Sequence, residues 1–256
     1  MTKRHWGNYI LASMQFRHWK AFFNIIRKAH YPFDFLARYL FDSGKYPTKI
    51  AICHKSDKIY IDAYTQHDIL TINEIFFRED YYVPSKSKVI VDLGSNIGIS
   101  ILYFIHKSDI DCNIYAYEPV SENIKKLYKN LNGFENRFIL SRHAIGDFEG
   151  IASFGIEKTG RYGGIGIELE NTILVNVVNI NKEICKILEK HKLIDVLKID
   201  IESNEQAVLD AIDDVYLQKI RYIHIEFSGQ LNIPVMYFTI QKRGTVYTLK
   251  NTLFTD

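Results

Sequence analysis

Apolar runs and helical spacings alternate along the chain from residue 88 onwards. Short apolar runs bounded by turn residues indicate buried strands, and apolar positions three and four residues apart indicate helices. The predicted strands are 88–93, 113–118, 137–141, 150–156, 173–179, 195–200 and 220–226, and the predicted helices are 97–107, 120–131, 181–191 and 203–213. This alternation predicts an α/β fold with a mostly parallel sheet and helices on both faces.

The last part of the chain has a different pattern. Asn232 is placed to cap a helix that has Pro234 in its first turn and ends at Lys242, Arg243 and Gly244. A last strand is predicted over 245–250. One strand is therefore expected after the last helix.

The N-terminal region has the spacing of an amphipathic helix that Pro32 ends, followed by a second helix to about Phe41. The apolar face of the first helix consists of Trp19, Phe22, Phe23 and Ile26. We interpret this region as a helical cap packed on the main domain, because basic amphipathic helices are common packed elements. The alternative is a surface that contacts an anionic membrane or a partner.

Short strands replace these helices after residue 48. Segments 49–54 and 58–63 predict a hairpin, and Thr71 and Glu74 have the spacing of a capping box. We therefore predict three segments: a basic helical extension over 1–48, a lead-in hairpin and helix over 49–87, and a core over 88–256.

Composition favours a soluble globular protein and distributes charge unevenly. The 256 residues are 47% hydrophobic with a net charge of +2, which is too small to argue for nucleic acid. Residues 1–48 contain eight Lys/Arg and two Asp, a charge of +6, which leaves −4 for the remainder. No apolar run approaches the ~18 residues of a membrane span, so we expect a cytoplasmic protein. Cys53, Cys112 and Cys185 are far apart and predict free thiols.

The segment 89–100 carries the main chemical signal, because an apolar strand leads into a glycine-containing turn and then a helix. Gly94 and Gly98 permit positive φ, and Asn96 tolerates it. In parallel α/β sheets such a turn borders a nucleotide-like ligand. The spacing is not the GxGxxG of dinucleotide sites, and the preceding Asp92 disfavours a pyrophosphate.

Glu118 strengthens this interpretation because it ends the next predicted strand and precedes Pro119. A carboxylate at that position can accept hydrogen bonds from both hydroxyls of a ribose. A solvated charge at a strand end is the alternative.

Four segments together resemble the motifs of the FkbM-type S-adenosylmethionine-dependent methyltransferases. They are 92–98 (DLGSNIG), 117–119 (YEP), 144–147 (AIGD) and 197–202 (LKIDIE). Their order and spacing agree over residues 49 to about 250. The resemblance implies a Rossmann-like class I methyltransferase fold, S-adenosylmethionine as cofactor, and a hydroxyl acceptor on a sugar, glycan or small natural product.

The resemblance also implies roles for individual residues. Glu118 with Pro119 would border the ribose, Ala144 with Ile145 the adenine edge, and Asp200 the amino group or the transferred methyl. The residues that would border the methionine part are Asp92, Gly94, Ser95, Asn96 and Gly98.

The chain departs from the family pattern at two places. Ser203 stands where the family commonly has glycine after the Asp-x-Glu of the last motif. One strand instead of two is predicted after the last helix, so we expect a shortened sheet or one completed by other means.

Methyl transfer to an alcohol requires removal of a proton by a carboxylate or histidine near the hydroxyl. Asp200, Glu202 and Glu226 are the candidates, since they lie at or just past the carboxyl ends of predicted strands. Glu202 can instead cap the following helix, and His224 is more often a core histidine. These carboxylates lack a firm metal-ligand pattern, so no metal is predicted.

Two other functions remain open from the sequence. An NAD-dependent oxidoreductase shares the acidic residue after the second strand but requires GxGxxG. A non-catalytic cofactor-binding module, with its basic head docked to a partner or membrane, is the other alternative.

Overall fold

A computed structural model describes residues 16–54, 57–157, 163–233 and 236–255. The chain divides into two compact units, the first ending at Asp80 and the second beginning at Tyr81. No described helix is both long and apolar enough to cross a membrane.

The first unit contains the two predicted helices and the predicted hairpin. Its elements are α1 (Phe16–Lys28), α2 (Pro32–Phe41), β1 (Thr48–His54), β2 (Asp57–Ala63), α3 (Gln66–Ile72) and a π-helical segment (Asn73–Arg78). β1 and β2 pair antiparallel, which confirms the hairpin; two residues of its turn, 55 and 56, lie outside the described residues.

The apolar face predicted for α1 is the exposed one, so the expectation that it packs is wrong. Trp19, Phe22, Phe23 and Ile26 are 51%, 42%, 65% and 43% exposed. The helix instead buries Ala21 and Ile25 on its opposite side, and Ala29, directly after its end, is also buried. The two alanines permit close approach to neighbouring elements, which bulky rings do not.

The capping box lies earlier than predicted. The Thr65 hydroxyl accepts from the amide of Asp68, and the Asp68 carboxylate accepts from the amide of Thr65 at 2.9 Å. Thr71 lies inside α3, where its hydroxyl donates to the carbonyl oxygen of His67. The helix then continues into the π-helical segment instead of beginning at Thr71.

The second unit is built on a seven-stranded sheet. Its elements are β3 (Val89–Leu93), α4 (Ile99–Lys107), β4 (Asn113–Tyr117), α5 (Ser121–Asn130), a 3₁₀ turn (Glu135–Arg137), β5 (Phe138–Ser141), β6 (Ala144–Gly146), β7 (Gly150–Ile156), β8 (Gly163–Ile165), β9 (Asn171–Asn179), α6 (Ile180–Lys190), β10 (Ile194–Ile199), α7 (Glu205–Ala211), α8 (Asp214–Leu217), β11 (Ile220–Glu226), β12 (Phe238–Arg243) and β13 (Val246–Asn251).

The strand order of the large sheet is β12-β13-β11-β10-β3-β4-β5. Pairing is parallel from β11 to β5, and β13 is antiparallel to both of its neighbours. All residues of β3 and β10 are buried, as expected for central strands covered on both faces. The α/β prediction is therefore confirmed.

The end of the chain differs from its prediction. The helix expected from Asn232 is absent from the described residues; Asn232 lies in a loop, and Pro234 lies outside them. β12 and β13 form an antiparallel hairpin in which Arg243 pairs with Val246 across a turn where Gly244 has φ +66°. The sheet therefore has seven strands: the prediction of one strand after the last helix is wrong, and of the two expected alternatives the sheet is completed, by β12, and not shortened.

A smaller sheet of order β6-β9-β7-β8 completes the unit. β7 and β9 were predicted, whereas β6 and β8 are three-residue strands below the length that periodicity detects.

Candidate functional site

Backbone hydrogen bonds connect the carboxyl ends of three adjacent parallel strands at one edge of the large sheet. The amides of Gly94 and Ser95, which follow β3, donate to the carbonyl oxygen of Tyr117 at the end of β4. On the other side, the amide of Asp200 donates to the carbonyl oxygen of Leu93 at 3.2 Å. Predicted site residues from separate parts of the sequence therefore meet here.

Gly94 makes the closest approach at this edge. Its φ is +80°, and a Cβ atom there would lie 1.8 Å from the carbonyl oxygen of Asp200. A side chain is thus excluded both by conformation and by space. The turn after β3 and the chain after β10 are in backbone contact.

Lys198, which sequence reasoning missed, connects two of the predicted carboxylates. Its Nζ atom lies 3.1 Å from Asp92 Oδ1 and 3.1 Å from Asp200 Oδ2, and it donates to the carbonyl oxygen of Gly94. The Asp92 and Lys198 side chains are 0% and 2% exposed, while that of Asp200 is 27% exposed. Burial alone would lower the pKa of Lys198, but Asp200 and Asp92 together raise it above its usual value. A lysine inside the apolar run 194–199 was the signal available in the sequence.

The Glu118 carboxylate is buried, and donors of the protein itself take up most of its hydrogen-bond acceptor positions. Its Oε2 accepts from the amide of Asn96 at 2.9 Å, and its Oε1 accepts from the Val120 amide and the Asn123 side chain. Burial raises its pKa to about 7, although these hydrogen bonds act in the opposite direction. They use three of the roughly four acceptor positions of a carboxylate, so about one remains for a further donor.

The conformation of the turn after β3 depends on three residues: Ser95, Asn96 and Gly98. Asn96 adopts a left-handed φ of +46°, which turns its amide to Glu118. The Ser95 hydroxyl is buried and donates to the backbone carbonyl of Asp92. Gly98 has φ +85°, and a Cβ there would lie 3.1 Å from Leu127 of α5. Gly98 therefore permits close packing of two helices.

Asp200 and Glu202 lie beyond the end of β10, in a turn. Glu202 and Ser203 have left-handed φ values of +54° and +63°. Helix α7 begins later than predicted, at Glu205. Burial raises the pKa of the Glu205 carboxyl, and the amides of Glu205, Glu202 and Ser203, which donate to it, oppose this shift. Glu205 thus stabilises the turn that carries Glu202.

Segment 155–166 contains five glycines, and one of them, Gly164, approaches the same turn. A Cβ at Gly164 in β8 would lie 2.6 Å from the carbonyl oxygen of Glu202. Residues 158–162 of this segment lie outside the described residues.

Glu226 ends β11, the strand next to β10. Its Oε2 accepts from the hydroxyl of Tyr81 at 3.4 Å, and its Oε1 accepts from that of Thr245 at 3.1 Å. His224 is fully buried; its Nε2 donates to the carbonyl oxygen of Tyr82, and burial lowers its pKa to about 4. The interpretation of His224 as a core histidine is confirmed.

Ala144 and Ile145 lie in β6, where both side chains are buried in hydrophobic clusters. Any contact with a ligand would therefore involve their backbone. Pro119 is half-buried immediately after Glu118.

This architecture defines a class I methyltransferase fold: the antiparallel strand β13 lies between β12 and β11 of an otherwise parallel sheet, and a glycine turn follows β3. The family model for the methyltransferase FkbM domain matches residues 92–244, more than half of the chain. The chain therefore belongs to the FkbM methyltransferase family, as its motifs predicted.

Individual relatives are distant. The chain is 24% identical over 192 residues to the AMB antimetabolite synthetase AmbE of Pseudomonas aeruginosa, a match that covers 60% of this chain and 9% of that protein. Methyltransferase FkbM from Methylobacillus flagellatus KT has a TM-score of 0.45 and 17% identity, covering 69% of this chain and 47% of the other. TrmK of M. capricolum, solved with S-adenosylhomocysteine, has a TM-score of 0.35 and 16% identity, covering 66% and 65%.

Proposed function

We propose that the protein transfers a methyl group from S-adenosylmethionine to a hydroxyl of a sugar, glycan or small natural product. The observation that carries this proposal is the charge balance around Lys198. Two carboxylates, Asp92 and Asp200, face one lysine, so this group has a net negative charge. A negative site suits a sulfonium cation and disfavours a pyrophosphate, which argues against an NAD-dependent oxidoreductase.

The residues present fit this cofactor. Glu118 has acceptor capacity for a ribose hydroxyl, because its carboxylate accepts three hydrogen bonds and about one acceptor position remains. When bound, S-adenosylmethionine supplies an activated methyl group on a good leaving group. The residues proposed to hold it are Asp92, Gly94, Ser95, Asn96, Gly98, Glu118, Pro119, Ala144, Ile145 and Asp200.

Asp200 and Glu226 are the proposed proton acceptors for the hydroxyl. Asp200 is partly exposed and is held in place by Lys198, and Glu226 is held by Tyr81 and Thr245. A carboxylate within about 3 Å of an alcohol can accept its proton as the oxygen bonds to carbon. Glu202 is a third candidate, because its turn lies directly after Asp200.

The relative named as an antimetabolite synthetase supports a small natural product as acceptor. The chain spans only 9% of that protein, so a glycan or sugar acceptor remains within the proposal.

Calorimetric titration with S-adenosylmethionine, S-adenosylhomocysteine and NAD tests the cofactor. We expect the first two to bind and Glu118→Ala to weaken both. Glu122→Ala is the matched control, since it removes an exposed carboxylate of α5 and leaves Glu118 and its hydrogen bonds in place. Binding of NAD alone would refute the cofactor assignment.

The chemistry is tested with methyl-labelled S-adenosylmethionine and a panel of hydroxylated sugars and natural products. The expected product is a methyl ether, and Asp200→Asn should lower turnover by about 10²-fold or more. Exclusive labelling of amines or thiols would refute O-methylation. Wild-type turnover in Asp200→Asn would remove Asp200 as the base and leave Glu226 and Glu202, to be tested as Glu226→Gln and Glu202→Gln.

A further inference from the structure

Helix α1 presents a cluster of large apolar side chains to solvent. Trp19, Phe22 and Phe23 contact one another, with ring centroids 5.9 to 6.4 Å apart. Ile26 extends this face by one turn, and Phe33 of α2 is also exposed. An exposed apolar cluster of this kind marks an interaction surface.

The exposure does not come from a poorly anchored helix. The Asn24 side chain donates to the carbonyl oxygen of Phe77 at 2.7 Å, and Lys20 and Lys28 both form ion pairs with Glu79. Ile25 is buried on the same side. One side of α1 is therefore held by the first unit while the aromatic side faces outwards.

The charge of α1 identifies the kind of partner. The helix has no Asp or Glu and contains four Lys or Arg: Arg17, Lys20, Arg27 and Lys28. Arg27 is exposed and lies one turn after Phe23, so the two side chains are neighbours on the helix surface. A basic helix with a Trp and Phe face is typical of helices that lie in the interface of an anionic bilayer.

We propose that α1 docks the protein on the surface of membranes that contain anionic lipids, with the Trp19, Phe22, Phe23 and Ile26 face inserted among the headgroups. Exposed Arg27 contacts the lipid phosphates, while Lys20 and Lys28 remain paired with Glu79. A second copy of the chain is a poorer occupant, because two such faces would bring their positive charges together. The inference is independent of the proposed function.

Sedimentation with vesicles tests the apolar contribution. Wild-type protein should bind phosphatidylcholine vesicles that contain about a third phosphatidylglycerol much better than pure phosphatidylcholine, because each basic residue near an anionic surface contributes about fivefold in affinity. Phe22→Ala/Phe23→Ala should weaken this binding by about tenfold or more. The matched control is Tyr128→Ala/Leu174→Ala, which removes two exposed apolar side chains of the second unit and should bind as wild type.

Charge reversal and oligomeric state complete the test. Arg27→Glu should weaken vesicle binding by more than about fivefold, because it removes a positive charge and adds a negative one. Lys190→Glu, the same change of sign at an exposed residue of α6, should not weaken it. In a Trp6→Phe background Trp19 is the one tryptophan left, and its emission should shift to the blue with anionic vesicles. Equal binding to both vesicle types, no binding, or a dimer in light scattering that Phe22→Ala/Phe23→Ala dissociates would overturn the proposal.

Discussion

Lys198 and Asp92 lie side by side on neighbouring parallel strands, with Nζ 3.1 Å from Oδ1 and both side chains buried. The second oxygen of Asp92 accepts from the Ser100 hydroxyl at 2.6 Å. A buried ion pair is costly to break from one side, because the remaining charge has no compensation.

Lys198→Met should therefore destabilise the protein by about 3–5 kcal/mol, as measured by urea unfolding. The double variant Asp92→Asn/Lys198→Met should lose less stability than the sum of the losses of its single variants, since it leaves no fully buried charge without a partner; Asp200, the other partner of Lys198, is 27% exposed. Additive losses in this double-mutant cycle would show that the pair is not coupled.

Glu118 should make stability depend on pH. Its usual pKa of 4.5 applies to the unfolded chain, and burial raises the folded value to about 7. The folded state binds more protons between these values, so stability falls as pH rises through this window, by about 3 kcal/mol. The difference in unfolding free energy between wild type and Glu118→Gln should show this decline. Glu122→Gln is the control. Lys125 lowers the pKa of exposed Glu122, so the stability that this carboxylate contributes should be lost as pH falls, not as pH rises.

Gly94→Ala should be among the most damaging single changes. Its methyl group would meet the carbonyl oxygen of Asp200, so we expect a loss of more than about 3 kcal/mol and no cofactor binding. Gly133 has a similar φ of +88°, and no atom lies within 4 Å of the Cβ that alanine would add there. Gly133→Ala should therefore lower the free energy of unfolding by only about 1–2 kcal/mol. Equal losses would mean that backbone conformation alone matters at Gly94.

Ser203→Gly should stabilise the protein by about 1 kcal/mol in thermal or urea unfolding, because it relieves a left-handed φ. Asn204→Gly is the matched control; Asn204 has φ −122°, so glycine there adds only flexibility to the unfolded chain and should destabilise. A loss of stability in Ser203→Gly would show that the serine side chain has a role of its own.

The core elements were predictable because the apolar side chains that each one buries form a local pattern in the sequence. Four strands were predicted to within about one residue: β3, β4, β10 and β11. Short apolar runs between turn residues are typical of buried strands. The failures have physical causes as well. Segment 232–243 contains helix-start residues, but its pairing with β13 decides that Phe238–Arg243 is a strand.

The candidate site was predictable as a set of carboxylates but not as an arrangement. Asp92 lies one residue before the end of β3, and Glu118 and Asp200 directly follow β4 and β10. Parallel strands bring such ends together. Lys198 was missed because its partner Asp92 lies in another strand, and only the register of β3 with β10 pairs them.

By itself, the sequence determined the family, the parallel core and the residues that end its strands, because these depend on local motifs and hydrophobic period. The tertiary structure alone decided that Lys198 neutralises part of the site and that α1 buries its alanine side and exposes its aromatic side. Both depend on which surfaces meet in three dimensions, and a periodic pattern identifies an apolar face without identifying what covers it.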